Sequence, residues 1–164
     1  MRKEELAYIA GFLDGDGCIM LQLVFRHDYV FGYQIRASVV FYQKENNAYF
    51  LDLLKEKLKY GYIRNRKDGM CEYTIVGVEA VTGVIKLLYP YIVLKKKQAE
   101  LALKVLAQMP GRGKKLTKEL LISLSKDVDK FADLNYSKRR TNTSESLINF
   151  LISHNLLDPV ETEP

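Results

Sequence analysis

The sequence predicts an α+β domain in which a helix, two strands, a helix, two strands and a helix succeed one another, with further helices behind them. Two observations carry that order: an apolar face alternates with a mixed, polar one over 18–26 and 34–41, and apolar residues recur at helical spacing on either side of those runs. A third is turn chemistry at the places where the period changes, Asp14-Gly15-Asp16-Gly17 and Asp68-Gly69 above all.

Glu4 to Leu13 reads as a helix, with Leu6, Ile9 and Leu13 on one face and acids in its first turn; the Asp-Gly repeat is expected to stop it after Leu13. Over Cys18 to Arg26, residues Ile19, Leu21, Leu23 and Phe25 take one face and Met20, Gln22, Val24 and Arg26 the other. After a turn around His27-Asp28, Gln34 to Phe41 alternates again, with Ile35, Ala37, Val39 and Phe41 opposite Gln34, Arg36, Ser38 and Val40. The pair predicts a long hairpin with one apolar face and one mixed, polar face. Asn46 to Tyr60 has helical spacing, short strands Tyr62–Arg66 and Cys71–Val76 flank the Asp68-Gly69 turn, and Val78 to Leu88 forms a helix ending before Pro90. Lys96 to Gln108, Leu116 to Leu134 and Ser144 to Asn155 are amphipathic helical stretches, separated by 110–113 and 137–140. A single domain over 1–158 and a frayed tail over 159–164 are expected.

A chain of 164 residues fits one domain at roughly 150 residues each. Hydrophobic residues at 48% and charged residues at 27% exclude a disordered chain. No apolar run approaches the roughly 18 residues of a membrane span, and the acids at Glu4 and Glu5 are out of place in a signal or transit peptide, so no membrane partner and an intracellular setting are expected. Cys18 and Cys71 cannot make a disulfide framework and read as buried, reduced thiols. The net charge of +5 is uneven: between Tyr60 and Leu120 twelve basic residues stand against five acidic ones, which suits either a polyanionic partner or a solvated basic surface.

Asp14 and Asp16 carry the chemistry. Both fall at the C-terminal, negative end of a helix macrodipole, where a carboxylate is disfavoured by ~0.3–1 kcal/mol. A turn accounts for the Asp-Gly repeat locally; a divalent cation would reverse the electrostatic objection, because carboxylate and carbonyl oxygens are the hard ligands Mg²⁺ prefers. The segment from Leu6 to Gly17, with small Ala10-Gly11, apolar Phe12-Leu13 and then acid-Gly-acid-Gly, resembles the signature of the LAGLIDADG homing endonucleases. Further likeness lies at 42–44, 49–52, 61–64, 94–99 and 137–145, and the resemblance, strongest to the single-motif homodimeric branch, covers nearly the whole chain.

That resemblance implies a four-stranded antiparallel, saddle-shaped sheet and a homodimer acting on double-stranded DNA, with no small-molecule substrate. It further implies a long pseudo-palindromic target cut with 3′ overhangs, and an intron-borne gene, hence a chloroplast or mitochondrial setting. Asp16 would bind the metal, Mg²⁺ or a substitute such as Mn²⁺, with the Gly15 carbonyl assisting. Gln43 and Lys95 match the polar and basic pocket, whereas Asn47 stands where the family carries a basic residue. One acidic helix end per chain requires two chains to cut two strands. Ala7, Ala10 and Gly11 would let two helices approach closely or would pack on the chain's own sheet, and Asp14 would sit at that interface, hydrogen-bonding locally.

Recognition is expected from the polar strand face. Residues 18–26 span ~30 Å at ~3.3 Å each, about nine base pairs at ~3.4 Å. Candidate readers are Gln22, Arg26, Asp28, Tyr29, Gln34, Arg36, Ser38, Arg64, Arg66, Glu72 and Thr74, with Met20, Val24 and Val40 available to thymine methyls. Lys138, Arg139 and Arg140 are candidates for phosphate contacts. A binder that does not cut, an RNA maturase or a DNA-binding regulator on the same fold, is the competing reading, and Asn47 is the feature that favours it.

Overall fold

A computed structural model describes residues 1–111, 113–135 and 140–158. The elements are α1 (Lys3–Asp16), β1 (Gly17–Phe25), β2 (Tyr33–Lys44), α2 (Tyr49–Leu58), β3 (Tyr62–Asn65), β4 (Met70–Val76), α3 (Val78–Leu88), α4 (Lys96–Gln108), α5 (Lys118–Asp129), α6 (Phe131–Leu134) and α7 (Ser144–Ser153), with single 3₁₀ turns at Glu45–Asn47 and Tyr89–Tyr91. The four strands form one sheet in the order β1-β2-β4-β3. β2 and β3 both pair antiparallel with β4, in registers that set Val40 against Thr74, Tyr42 against Glu72, Arg64 against Glu72 and Tyr62 against Thr74.

The predicted order of elements matches the structure. The largest difference lies at the start: α1 does not stop at Leu13 but runs through Asp16 and passes directly into β1. Gly17 makes this junction possible, because a Cβ there would lie 2.6 Å from the Leu13 side chain and 2.8 Å from its carbonyl oxygen. The stretch from Leu116 to Leu134, predicted as one helix, is two, broken at Lys130.

Contacts group the chain into two compact units, Met1–Met20 with Ala37–Ala107, and Leu21–Arg36 with the chain from Gln108 onward. In the first, Ile9 and Leu13 of α1, Val39 and Phe41 of β2, Leu51 and Leu54 of α2, Tyr73 and Ile75 of β4, and Val81 and Ile85 of α3 are buried. Phe41 stacks on Phe12 at 5.9 Å between centroids and on Tyr73 at 5.8 Å. Each large side chain so buried contributes about 1.5–3 kcal/mol of transfer free energy. Tyr73 donates its hydroxyl to the Tyr60 carbonyl at 2.6 Å, and burial pushes its ionisation up to about 12.

In the second unit, Leu21 and Leu23 are buried, as are Leu121, Leu124 and Val128 of α5, Phe131 of α6, and Leu147 and Leu151 of α7. Thr117 caps α5 by accepting from the Leu120 N–H, and Thr143 caps α7 in a reciprocal box with Ser146. Gly32, at φ +68°, lets the chain pass the Phe150 ring, which a Cβ would meet at 2.4 Å.

Candidate active site and nucleic-acid interface

At the end of α1 the two aspartates part company. Asp14 is 9% exposed and its carboxylate accepts three backbone N–H groups, from Val93 (2.7 Å) and Leu94 (3.0 Å) at one oxygen and from Lys95 (3.0 Å) at the other. Its bonds are therefore long-range, not the local cap expected from the sequence. Lys95 also donates its Nζ to the Asp14 carbonyl, which sets an ammonium at the negative end of the α1 dipole. Asp16, one residue pair further on, is exposed. The helix end thus carries one carboxylate consumed in holding the 93–95 segment and one open to a ligand.

Around this end lie side chains that sequence reasoning did not assign to it. The half-buried Cys18 thiol is pushed up by burial, an effect the nearby Lys95 ammonium opposes, and the Tyr42 hydroxyl is pushed up first by burial and then by Cys18 and Glu72. The alternation of β1 and β2 was legible, but nothing local says that Cys18 and Lys95 come together. Gln43 is half-buried near the end of β2, where its Oε1 accepts from the Lys44 N–H at 2.9 Å, and Asn47 is exposed in the 3₁₀ turn that follows.

The outer face of α1 is made of small residues. Ala7, Gly11 and Gly15, at four-residue spacing, are exposed, and a Cβ added at either glycine would meet nothing within 4 Å. Tyr8 (63%), Val93 (75%) and Leu94 (76%) are exposed apolar neighbours in the same unit. A groove of about 260 Å³, lined by Glu4, Glu5, Tyr8, Ile9, Phe50, Leu53, Leu54 and Lys57, runs beside it. Two of the predicted interface residues are corrected here: Ala10 is fully buried in its own chain, and Asp14 is covered and saturated, so neither faces outward.

The candidate readers divide in the same way. In the first unit Arg64 and Arg66 are exposed, Arg64 paired with Glu72 (2.6 Å) and Arg66 with Asp68 (2.7 Å), and Met20 is half-buried. Ser38 (3%), Val40 (3%) and Thr74 (6%) are buried, a correction to their expected role. They stand on the two inner strands, where the row Val40–Thr74–Tyr62 packs across the sheet, and strand parity alone does not reveal that cover. In the second unit Gln22, Arg26, Asp28, Tyr29 and Arg36 are exposed, while Val24 and Gln34 are half-buried. Arg140 is also corrected. Its guanidinium donates to the Val128 carbonyl at 2.7 Å and the Leu21 carbonyl at 3.3 Å, and burial lowers its ionisation, so it ties backbone together instead of facing a phosphate. Lys138, Arg139 and the tail 159–164 lie outside the described residues.

Among the described residues no group of three or more His, Cys, Asp or Glu side chains could hold a metal ion, and no helix is long and apolar enough to cross a membrane. Comparison with known proteins gives a consistent picture. A family profile described as LAGLIDADG endonuclease matches residues 9–105. The DNA endonuclease I-CvuI of Chlorella vulgaris is 34% identical over 145 residues, 87% of this chain and 87% of its own. The DNA endonuclease I-CreI of Chlamydomonas reinhardtii is 35% identical over 145 residues, 88% of this chain and 87% of its own. The crystal structure of I-CvuI in complex with its target in the presence of Ca superposes with a TM-score of 0.87 at 32% identity, covering 94% of this chain and 97% of that one.

Proposed function

The chain belongs to the LAGLIDADG endonuclease family, and from that premise we propose that it is a site-specific DNA endonuclease. It acts as a homodimer on a long pseudo-palindromic duplex and hydrolyses one phosphodiester in each strand to leave 3′ overhangs. One observation carries the reading: Asp16 is left open at a helix end whose other carboxylate, Asp14, is saturated by three amides.

The donor set at this end fits a divalent cation, Mg²⁺ or Mn²⁺, since Asp16 and the Gly15 carbonyl supply hard oxygens at the negative pole of α1. Such an ion, when bound, polarises a phosphate and lowers the pKa of a bound water. One chain offers a single open carboxylate here, so Asp16 and the Gly15 carbonyl would be this chain's share of the ligands, and the rest would have to come from outside it. Lys95 is held at the same end by its own backbone and side-chain bonds to Asp14, and in this reading its charge offsets the negative charge of a pentacoordinate phosphorane. Gln43 orients water from the end of β2, and Asn47 contributes a neutral amide in place of a cation.

Homodimerisation uses the outer face of α1. Ala7, Gly11 and Gly15 allow two backbones to approach, and Val93, Leu94 and Tyr8 gain cover that the single chain does not give them. Gln22, Arg36, Arg64, Arg66 and their neighbours read base edges in the major groove. With this reading go an intron-borne gene and an organellar setting.

The test begins with duplexes selected from a randomised pool by binding. In Mg²⁺ the protein cuts its selected target, and Asp16→Asn binds the same duplex but cuts it at least about 10³-fold more slowly, the scale of several kcal/mol of lost charge stabilisation. Undiminished cutting by Asp16→Asn refutes the metal role. Binding without any cutting by the native chain would favour the non-cleaving reading. Gly11→Leu, at an exposed position where an added Cβ meets nothing within 4 Å, is expected to sediment as a monomer with native circular dichroism and no cutting.

A further inference from the structure

At the connection between β1 and β2, Arg26 is held in a way that no other candidate reader shares. Its Nε donates to Asp28 Oδ1 and its Nη2 to Asp28 Oδ2, both at 2.8 Å, so the carboxylate occupies one complete edge of the guanidinium. The Tyr29 ring lies 5.4 Å from the guanidinium carbon and covers a face. The turn beneath is closed by backbone bonds, Arg26 N–H to Gly32 O (2.8 Å), Gly32 N–H to Tyr29 O (2.9 Å) and Tyr29 N–H to Arg26 O (3.2 Å). All three side chains sit on the same short segment, and the arginine side chain remains 44% exposed.

A guanidinium has five N–H donors in a fixed plane. With Nε–H and one Nη2–H taken, the intact edge that remains is the far one, where Nη1 and Nη2 point two parallel donors outward. In the major groove only guanine presents two neighbouring acceptors, N7 and O6, to such an edge. Adenine pairs an acceptor with a donor, cytosine offers a donor, and thymine an acceptor beside a methyl. Arg64 and Arg66 are different: each meets its acid through Nη2 alone, at 2.6 and 2.7 Å, so the acid does not fix which edge faces outward.

We propose that Asp28 is a positioning residue that, with Tyr29, locks Arg26 as a guanine reader, so that one symmetric position in each half of the DNA target is restricted to G·C. This rests on the endonuclease reading above and deepens it. Asp28 acts here through Arg26, from which both its oxygens accept. A carboxylate beside a polyanion weakens general affinity, and its use here is to trade that affinity for discrimination. The Arg26 guanidinium holds the Asp28 carboxyl at about 2, so the clamp is fully charged at neutral pH.

The experiment uses the full chain and a duplex selected from a randomised pool, then scores every single base-pair substitution of that duplex for binding without metal and for cutting in Mg²⁺. The native chain is expected to prefer G by about tenfold or more at one position per half-site, the lower range for a good bidentate contact. Arg26→Ala and Asp28→Ala should each flatten the preference at that position and at no other. The two variants should then diverge: Arg26→Ala weakens binding to any duplex, whereas Asp28→Ala, one charge more positive, binds random-sequence duplex at least as tightly as the native chain and with a steeper salt dependence. Asp28→Asn, of the same size, should behave as Asp28→Ala, which separates the charge from the packing. A native preference map without an Arg26-dependent guanine, or an Asp28→Ala chain that keeps it, overturns the clamp while leaving the endonuclease standing. A native chain that neither selects nor binds any duplex overturns both.

Discussion

At the end of α1 the backbone holds a carboxylate: three amides from 93–95 close on Asp14 and leave it no freedom. At the turn after β1 a carboxylate holds a side chain: Asp28 clasps Arg26 through both its oxygens. The first arrangement ties the end of α1 to the 93–95 segment inside the fold. The second is an exposed pair on the surface, and under the proposal above its removal is expected to change what that surface selects. On the reading proposed above, catalytic geometry rests on main-chain bonds and target choice on exchangeable pairs of side chains.

The sharpest way to break this contrast is Asp14→Ala. It strands three N–H groups that now meet a charged acceptor and frees the 93–95 segment that carries Lys95, so a loss of about 2–4 kcal/mol is expected in urea unfolding, with activity falling alongside. Arg140→Ala comes next. Two carbonyls lose a cationic donor, and stability should drop by about 1–3 kcal/mol. The salt slope of DNA binding should not change, whereas a phosphate contact at Arg140 would reduce it by about one. Glu72→Ala removes a pair of the exchangeable kind. Arg64 is well exposed, so the expected change in unfolding free energy is below about 1 kcal/mol, while base preference shifts. A stability loss equal to that of Asp14→Ala would erase the distinction between the two regions.

The smallest effect concerns Glu5, whose carboxyl is pulled down to about 2 from an ordinary 4.5, chiefly by the Lys57 ammonium. A lowered carboxylate pKa stabilises the fold above the unfolded value and loses that contribution as pH falls through the folded one. The melting temperature of Glu5→Gln should therefore lie slightly below that of the native chain above pH 5, and the two should converge as pH approaches 2.

Much of the fold could be read locally, for a clear reason. The alternation of 18–26 and 34–41 is a periodic signal generated by one buried face, and the structure buries that face except at Phe25, 38% exposed at the end of β1; of the helical spacing over 46–60, Leu54 and Leu58 are buried and Leu53 is exposed. The C-terminal end of α1 was read differently because its stability is not local. Aspartate and glycine argue for a turn, but Asp14 is held by amides 79 to 81 positions away, and that support carries the helix to Asp16. Ser38, Val40 and Thr74 follow the same logic in reverse: their parity on the strand is as predicted, but the cover they receive comes from neighbouring strands. Arg140 looked like part of a basic run, and only the fold shows the Leu21 carbonyl that claims it.

The direct passage of α1 into β1 has one more consequence. A helix advances by about 100° per residue and a strand reverses its face with each one. Because no slack intervenes at Gly17, a single inserted or deleted residue would swing Asp16 to another azimuth or turn the faces of β1 over. If Asp16 cuts and β1 reads, as proposed, the junction is a phase lock between the two, and its length is a constraint as strict as any side chain in the motif.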